Sequence, residues 1–316
     1  MSDKLKFVFF SKKYSLFAKY IEKEGYEVAS LRKLDNAICQ ATTMLLTKYI
    51  AQSIRTIYNP KLRGFEGTYI VFDSVVNLED LSWLKKENPK ARMVFCVWNP
   101  VSMIKIDLGK VRDLGYEIWS YGKKQCELYG FKETLYFYCP SMYSKALSQR
   151  EIPKHDIVFA GKDKGRLKKI KQIIDANNWQ KFDWNFYFIA DHFWLRYTRK
   201  EYQRKLSYEE TQVLQSKSKA ILELMPAQDA DITMRTLDAL VLEKKLITDA
   251  KEIMERDYYH PNNIFVLGVD KSEELEQFLS KRYQTISKDI LNRYTFAEWV
   301  KRIVEDRPIN GGIDAV

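Results

Sequence analysis

The sequence predicts an α/β protein with two parallel-sheet domains of the Rossmann type, and three observations carry that expectation. The chain has 316 residues, more than one doubly wound sheet needs and enough for two domains of ~150 residues each. Short apolar runs alternate with longer amphipathic stretches along its whole length, the signature of βαβ units. The alternation ends near residues 141–155 and then restarts. This places an N-terminal domain over 1–150, a second domain over 151–295, and a closing helix with a loose tail over 296–316.

In the first half, residues 7–10 read as a strand, 14–24 as a helix and 26–31 as a second strand. A long helix is expected over 41–58, with Met44, Leu45, Ile50, Ile54 and Ile57 on its apolar positions. Residues 69–72 form a strand ending at Asp73, followed by a helix over 78–86 and a strand over 93–98 that Asn99-Pro100 breaks. A helix over 106–114, a short strand over 117–119 and a short helix over 124–129 follow, and 135–138 closes the half before Pro140. The second half opens with a strand over 157–160 that breaks at Gly161, then a strongly basic helix over 164–177. A strand over 185–189 precedes a helix over 208–216, for which Ser207 is a candidate cap. After a strand over 220–224 come a helix over 233–242, strands over 245–248 and 264–267, and helices over 272–279 and 296–305.

Composition sets the class of protein. An apolar fraction of 46% and a charged fraction of 30% belong to a folded globular chain. The four cysteines, Cys39, Cys96, Cys126 and Cys139, have neither metal-ligand spacing nor a disulfide rhythm, which favours a reducing compartment. Residues 1–6 lead straight into a strand with no signal-peptide core, and no apolar run approaches the ~20 residues that span a bilayer. The expected location is therefore the cytoplasm. The net charge of +10 is uneven: residues 1–150 hold 24 Lys and Arg against 15 Asp and Glu, so the second half is nearly neutral. A basic face of this kind suits an anionic partner, or is simply a solvated surface. Nucleic acid is not expected, because the basic residues are dispersed and no zinc-finger, RNA-recognition or helix-turn-helix signature is present.

Two segments combine the features that hold phosphate, namely helix-start amides, glycine and cations. The first is Gly161-Lys162-Asp163-Lys164-Gly165-Arg166, where glycine permits close backbone approach and Arg166 can fork onto phosphate oxygens. The second runs from Gln228 to Asp238 and places Thr233 at a helix start with Arg235 in the first turn. A cation there opposes the helix dipole, and an anion bound between Arg235 and Asp238 would reconcile the two. The competing reading is a surface ion pair between these residues, which are three apart on one helix face.

The second half resembles the donor domain of bacterial surface-polysaccharide glycosyltransferases of the GT-B fold. The resemblance rests on Ile221-Leu222-Glu223-Leu224, Gln228, Thr233-Met234-Arg235-Thr236-Leu237-Asp238-Ala239-Leu240, Lys244-Lys245-Leu246-Ile247-Thr248 and Tyr258-Tyr259-His260-Pro261-Asn262-Asn263-Ile264. Phe159 to Arg166 and Leu206-Ser207-Tyr208-Glu209-Glu210 are similar to further pieces of that domain. Trp98-Asn99-Pro100 and Tyr121 with Tyr129-Gly130 resemble parts of its acceptor domain, and Phe296, Trp299, Val300 and Ile303 its last helix.

The resemblance implies two Rossmann-like domains facing each other across a cleft, a nucleotide diphosphate sugar as co-substrate, and a last helix that returns to the N-terminal domain. It implies that Gly161 and Arg166 face the diphosphate, and that Gln228 belongs to the donor site. Thr233 and Arg235 would bind phosphate or stabilise the leaving group, and Asp238 would hold ribose or sugar hydroxyls. Two positions depart from the family pattern: Glu243 stands where glycine is common, and Asp238 where glutamate is common. The paired glutamates of many retaining members are unmet, because Ala230 occupies the first position.

No metal ligand set is expected, since His155, His192 and His260 lack ligand spacing and Asp229-x-Asp231 falls within the phosphate loop. Asp73, at a strand end, is a candidate general base; the alternative is that it caps the following helix. His192 reads as a partly buried structural histidine. Lipid-linked acceptors would bring the protein to an anionic membrane face. Residues 41–63, with an apolar stripe and Lys48, Arg55, Lys61 and Arg63, suit such docking or an ordinary core helix. A non-catalytic nucleotide-sugar-binding scaffold and a nucleotide-sugar epimerase are the alternative functions.

Overall fold

The computed structural model describes residues 4–9, 15, 17–32, 58–73, 76–149, 151–192, 194–225 and 232–309. Residues 41–57 of the expected helix over 41–58, Gln228 and the Asp229-x-Asp231 sequence lie outside them. The chain divides into two compact units, Met1–Leu135 with Phe296–Val316, and Tyr136–Thr295.

Among the described residues the first unit is a six-stranded sheet of order β2-β1-β3-β4-β5-β6. Its strands are β1 (Leu5–Phe9), β2 (Glu27–Ser30), β3 (Thr68–Phe72), β4 (Arg92–Val97), β5 (Glu117–Ser120) and β6 (Lys132–Glu133). All neighbours are parallel. Its central strands are continuous apolar runs, as a sheet covered on both faces requires; every residue of β3 is buried. The closing strand is Lys132–Glu133, and not residues 135–138 as the sequence pattern suggests. Gly130, left-handed at φ 64°, ends helix Lys123–Tyr129 and turns the chain onto β5 two residues later.

Helix Phe296–Val304 packs on this first sheet. Phe296 lies 5.2 Å from Phe7 and Trp299 stacks on Phe72 at 5.9 Å between ring centroids. Its C-terminal carbonyls, those of Ile303 and Val304, accept from Arg92 Nη1 at 2.8 and 3.1 Å. Arg92 also forms a two-point ion pair with Glu117, so one guanidinium ties β4, β5 and the last helix.

The second unit is a second parallel six-stranded sheet, of order β12-β11-β10-β7-β8-β9. Its strands are β7 (His155–Lys162), β8 (Trp184–Ile189), β9 (Tyr202–Gln203), β10 (Ser218–Glu223), β11 (Lys245–Thr248) and β12 (Ile264–Val266). Ile157, Phe159, Leu222, Ile247 and Phe265 share one core with Ile170, Trp179 and Phe278. The strand order reverses between β7 and β10. In open α/β sheets ligands bind at such a switch point, beyond the carboxyl ends of the strands. Gly161 and Glu223 lie at the ends of those two strands. Among the described residues no helix is long and apolar enough to cross a membrane.

Candidate functional site

The gap at the switch point is written into the strand lengths. β7 pairs with β8 through Lys162, but with β10 only to Val158, so its last residues have no ladder partner on the β10 side. Arg235, in the first turn of helix Met234–Val241, reaches this stretch. Its Nε and Nη2 donate to the Ala160 carbonyl at 3.2 and 2.6 Å, and its guanidinium lies 5.2 Å from the Phe159 ring centroid. Gly161 makes room for this group: a Cβ there would fall 2.2 Å from Arg235 Nη2. The close approach that this glycine allows is that of a side chain.

Arg166 opens helix Arg166–Ala176 from the other side of the turn. Its side chain is buried and Nη1 donates to the Lys162 carbonyl at 3.2 Å. Lys164 and Gly165 are both left-handed (φ 44° and 79°), a pairing that glycine at the second position makes tolerable. Asp163 fixes the turn by accepting from Leu167 N at 2.8 Å and from the Tyr202 hydroxyl at 2.5 Å. Burial, and then the positive charge of Arg235, depress the Arg166 pKa. Burial also depresses that of Arg235, against the pull of Glu223 and Asp238. Neither guanidinium forms an ion pair with a carboxylate among the described residues. Two desolvated cations within electrostatic reach, each anchored through backbone carbonyls, form an arrangement that an anion would relieve.

Thr233 is the N-cap of the Arg235 helix: its hydroxyl accepts from Arg235 N at 3.1 Å and donates to Glu223 Oε1 at 2.6 Å. Glu223 is a residue whose importance single-sequence reasoning missed. It is completely buried, and the hydroxyls of Thr236 and Thr248 also donate to it, at 3.0–3.1 and 2.9 Å. Burial raises its pKa, opposed by the three threonines and by Arg235. The one available signal was a carboxylate closing the apolar run 220–222, with threonines at the next helix start and at the end of the next strand.

Asp238 does not pair with Arg235, and no surface ion pair forms. Its Oδ1 instead accepts from the hydroxyls of Tyr208 (2.6 Å) and Tyr143 (2.8 Å), with Gln212 Nε2 at 3.4 Å. Burial raises its pKa against these bonds. The side chain straps helix Met234–Val241 to helix Tyr208–Ser216 and to the segment around Tyr143. The structure therefore brings Gly161, Arg166, Thr233 and Arg235 together and turns Asp238 toward the tyrosines.

Asp73, in the first unit, follows β3. It is not the cap of the next helix: Asn77 caps Leu78–Glu87 in a capping box with Asp80. Asp73 braces the 98–99 turn, accepting from Trp98 N (3.0 Å), Asn99 N (2.8 Å) and Asn99 Nδ2. Burial raises its pKa, opposed by those bonds. His192 is exposed, not partly buried, and stacks on Trp194. Among the described residues no three His, Cys, Asp or Glu side chains converge as a metal site would require.

No protein-family model matches the chain, and no curated protein matches it in sequence. Solved structures do resemble it. AviGT4, a glycosyltransferase involved in avilamycin A biosynthesis, superposes with a TM-score of 0.54 at 13% identity over 96% of each chain. Sucrose-phosphate synthase from Thermosynechococcus elongatus gives 0.53 at 8% identity, over 95% of this chain and 97% of that one. The fold is GT-B.

Proposed function

We propose that this chain is a glycosyltransferase that moves a sugar from a nucleotide diphosphate sugar to a cell-surface glycan or lipid-linked acceptor, without a metal ion. The observation that supports it best is the convergence of Arg166 and Arg235 at the switch point of the second unit, with no carboxylate partner among the described residues. As the glycosidic bond to the donor breaks, negative charge builds on the departing diphosphate. Cations fixed before the reaction stabilise that charge without reorganising. Arg235 is then the group that touches the leaving diphosphate, Arg166 its partner, and the Glu223–Thr233 link the support of the helix that carries Arg235.

On this reading the first unit holds the acceptor, and Asp73 is the candidate base that takes the acceptor proton. Its raised pKa favours that task near neutral pH. The basic character of the first half suits an anionic, lipid-linked acceptor at the inner membrane face. The resemblance to surface-polysaccharide enzymes supports that acceptor class.

The experiment is a donor panel with and without acceptor glycans, read by release of nucleoside diphosphate in the presence of EDTA. Acceptor-dependent release is expected. Donor binding without turnover would favour a scaffold, interconversion of the donor alone an epimerase, and loss of release in EDTA a metal-dependent reaction. Arg235→Ala is expected to lower kcat by ~100-fold or more in a chain that still unfolds cooperatively.

A further inference from the structure

A pair of exposed aromatic rings adjoins the phosphate-binding turn and takes no part in the account above. β8 ends at Ile189 beside Lys162 in the ladder, so the residues after it emerge next to the Gly161–Arg166 turn. The two segments are tied twice: Asp163 N donates to the Ile189 carbonyl at 3.0 Å, and Lys164 N to Asp191 Oδ2 at 2.9 Å. Directly beyond Asp191, the His192 and Trp194 rings stack at 4.6 Å with an interplanar angle of 11°. Trp194 is nonetheless 52% exposed, and Tyr197, one turn on, is 70% exposed. By contrast, Trp119 and Trp299 are buried in the core. Leu195, next in sequence, packs against the core of the second unit, and its N–H bonds the His192 carbonyl at 3.0 Å. The indole is thus displayed by an anchored backbone.

We infer that the Trp194 indole, backed by His192, is the stacking platform for the base of a nucleoside diphosphate whose phosphates sit at Arg166 and Arg235. The inference rests on the phosphate-site reading above and adds to it the end of the ligand that carries the nucleoside. A flat aromatic face accepts any nucleobase through its π-surface. Its placement one strand over from β7 puts it in the same unit as the two arginines and on the same carboxyl edge of the sheet. Exposed Lys162 and Lys164 lie on the turn between the two features and favour an anion bridging them. A nucleoside diphosphate has this composition: an anionic centre with an aromatic group at one end.

The test is titration calorimetry of the full-length chain with inorganic pyrophosphate and with uridine, guanosine, adenosine and thymidine diphosphates, for wild type, Trp194→Ala and Trp194→Phe. Wild type is expected to bind at least one nucleoside diphosphate more tightly than pyrophosphate. Trp194→Ala should weaken that nucleotide by about ten- to a hundredfold, the range that one base on one aromatic ring commands, and leave pyrophosphate unchanged. Trp194→Phe should restore most of the loss, which a folding defect would not allow. If pyrophosphate binds and Trp194→Ala leaves nucleotide affinity intact, the platform is refuted and the phosphate site stands. Equal weakening of both ligands also refutes it. If neither pyrophosphate nor any nucleotide binds wild type, both readings fall together.

Discussion

Arg235 occupies a position that local rules disfavour, a cation in the first turn of a helix, where the dipole repels it. The Ala160 carbonyl and the Phe159 ring compensate part of that cost, and Gly161 supplies the space. Gly161→Ala should therefore act through the arginine. Displacement of the guanidinium is expected to weaken pyrophosphate binding about tenfold or more, with a stability loss of ~1 kcal/mol or so from local repacking; calorimetry and urea denaturation read the two effects. Unchanged affinity would mean that the Arg235 placement is irrelevant to the anion. At Asp73, the asparagine variant distinguishes base from brace. Asp73→Asn keeps an oxygen to accept from the Trp98 and Asn99 amides but removes the proton acceptor. It is expected to leave stability within ~1 kcal/mol while lowering kcat by about a hundredfold or more. A retained kcat would reduce Asp73 to the brace of its turn.

At the scale of elements, the electrostatic tie around Arg92 has a definite pH signature. Burial works against the ionised Glu117, but Arg92 and Lys132 outweigh it and bring its pKa down to about 2. A carboxyl depressed in the folded state contributes stability that is present above its unfolded pKa, near 4.5, and lost as pH falls toward about 2. Because the pair is partly solvated, the contribution is ~1–2 kcal/mol. Glu117→Gln should lose that amount at pH 7 and converge on wild type as the acid limit is approached, measured by urea midpoints across the range. Helix Met234–Val241 carries a different cost at its exit. Glu243 is left-handed at φ 53° and Lys244 N closes back on the Ala239 carbonyl at 2.8 Å, a helix-ending turn for which glycine is the usual residue. The glycine that the resemblance leads one to expect there would relieve this backbone strain.

These elements also show what a sequence read alone exposes. Strands such as β3 and β10 and the Ser207-capped helix are legible because their signals are local, apolar runs and a capping box. Arg166 and Arg235 read in the sequence as parts of two separate loops, since the electrostatic reach between residues 69 positions apart depends on strand order. Glu223 with its threonines, and Asp238 beneath two tyrosines, were not legible. Their hydrogen-bond partners come from elements that the sequence cannot order in space.

For the molecule as a whole, the account reduces to one division of labour. Both units are six-stranded parallel sheets among the described residues and both are net positive, yet the two anchored guanidinium groups occur together at the switch point of the second. Donor affinity should therefore depend on two particular arginines and little on the general basicity of the chain. The decisive measurement is the calorimetric affinity for a nucleoside diphosphate and for pyrophosphate in wild type, Arg166→Ala, Arg235→Ala and, as a control, Lys61→Ala, an exposed first-unit lysine. The account predicts binding by wild type and by the control, with a loss of about tenfold or more in each arginine variant while each still unfolds cooperatively. Wild-type affinity in both arginine variants, or an equal loss in the control, would contradict it.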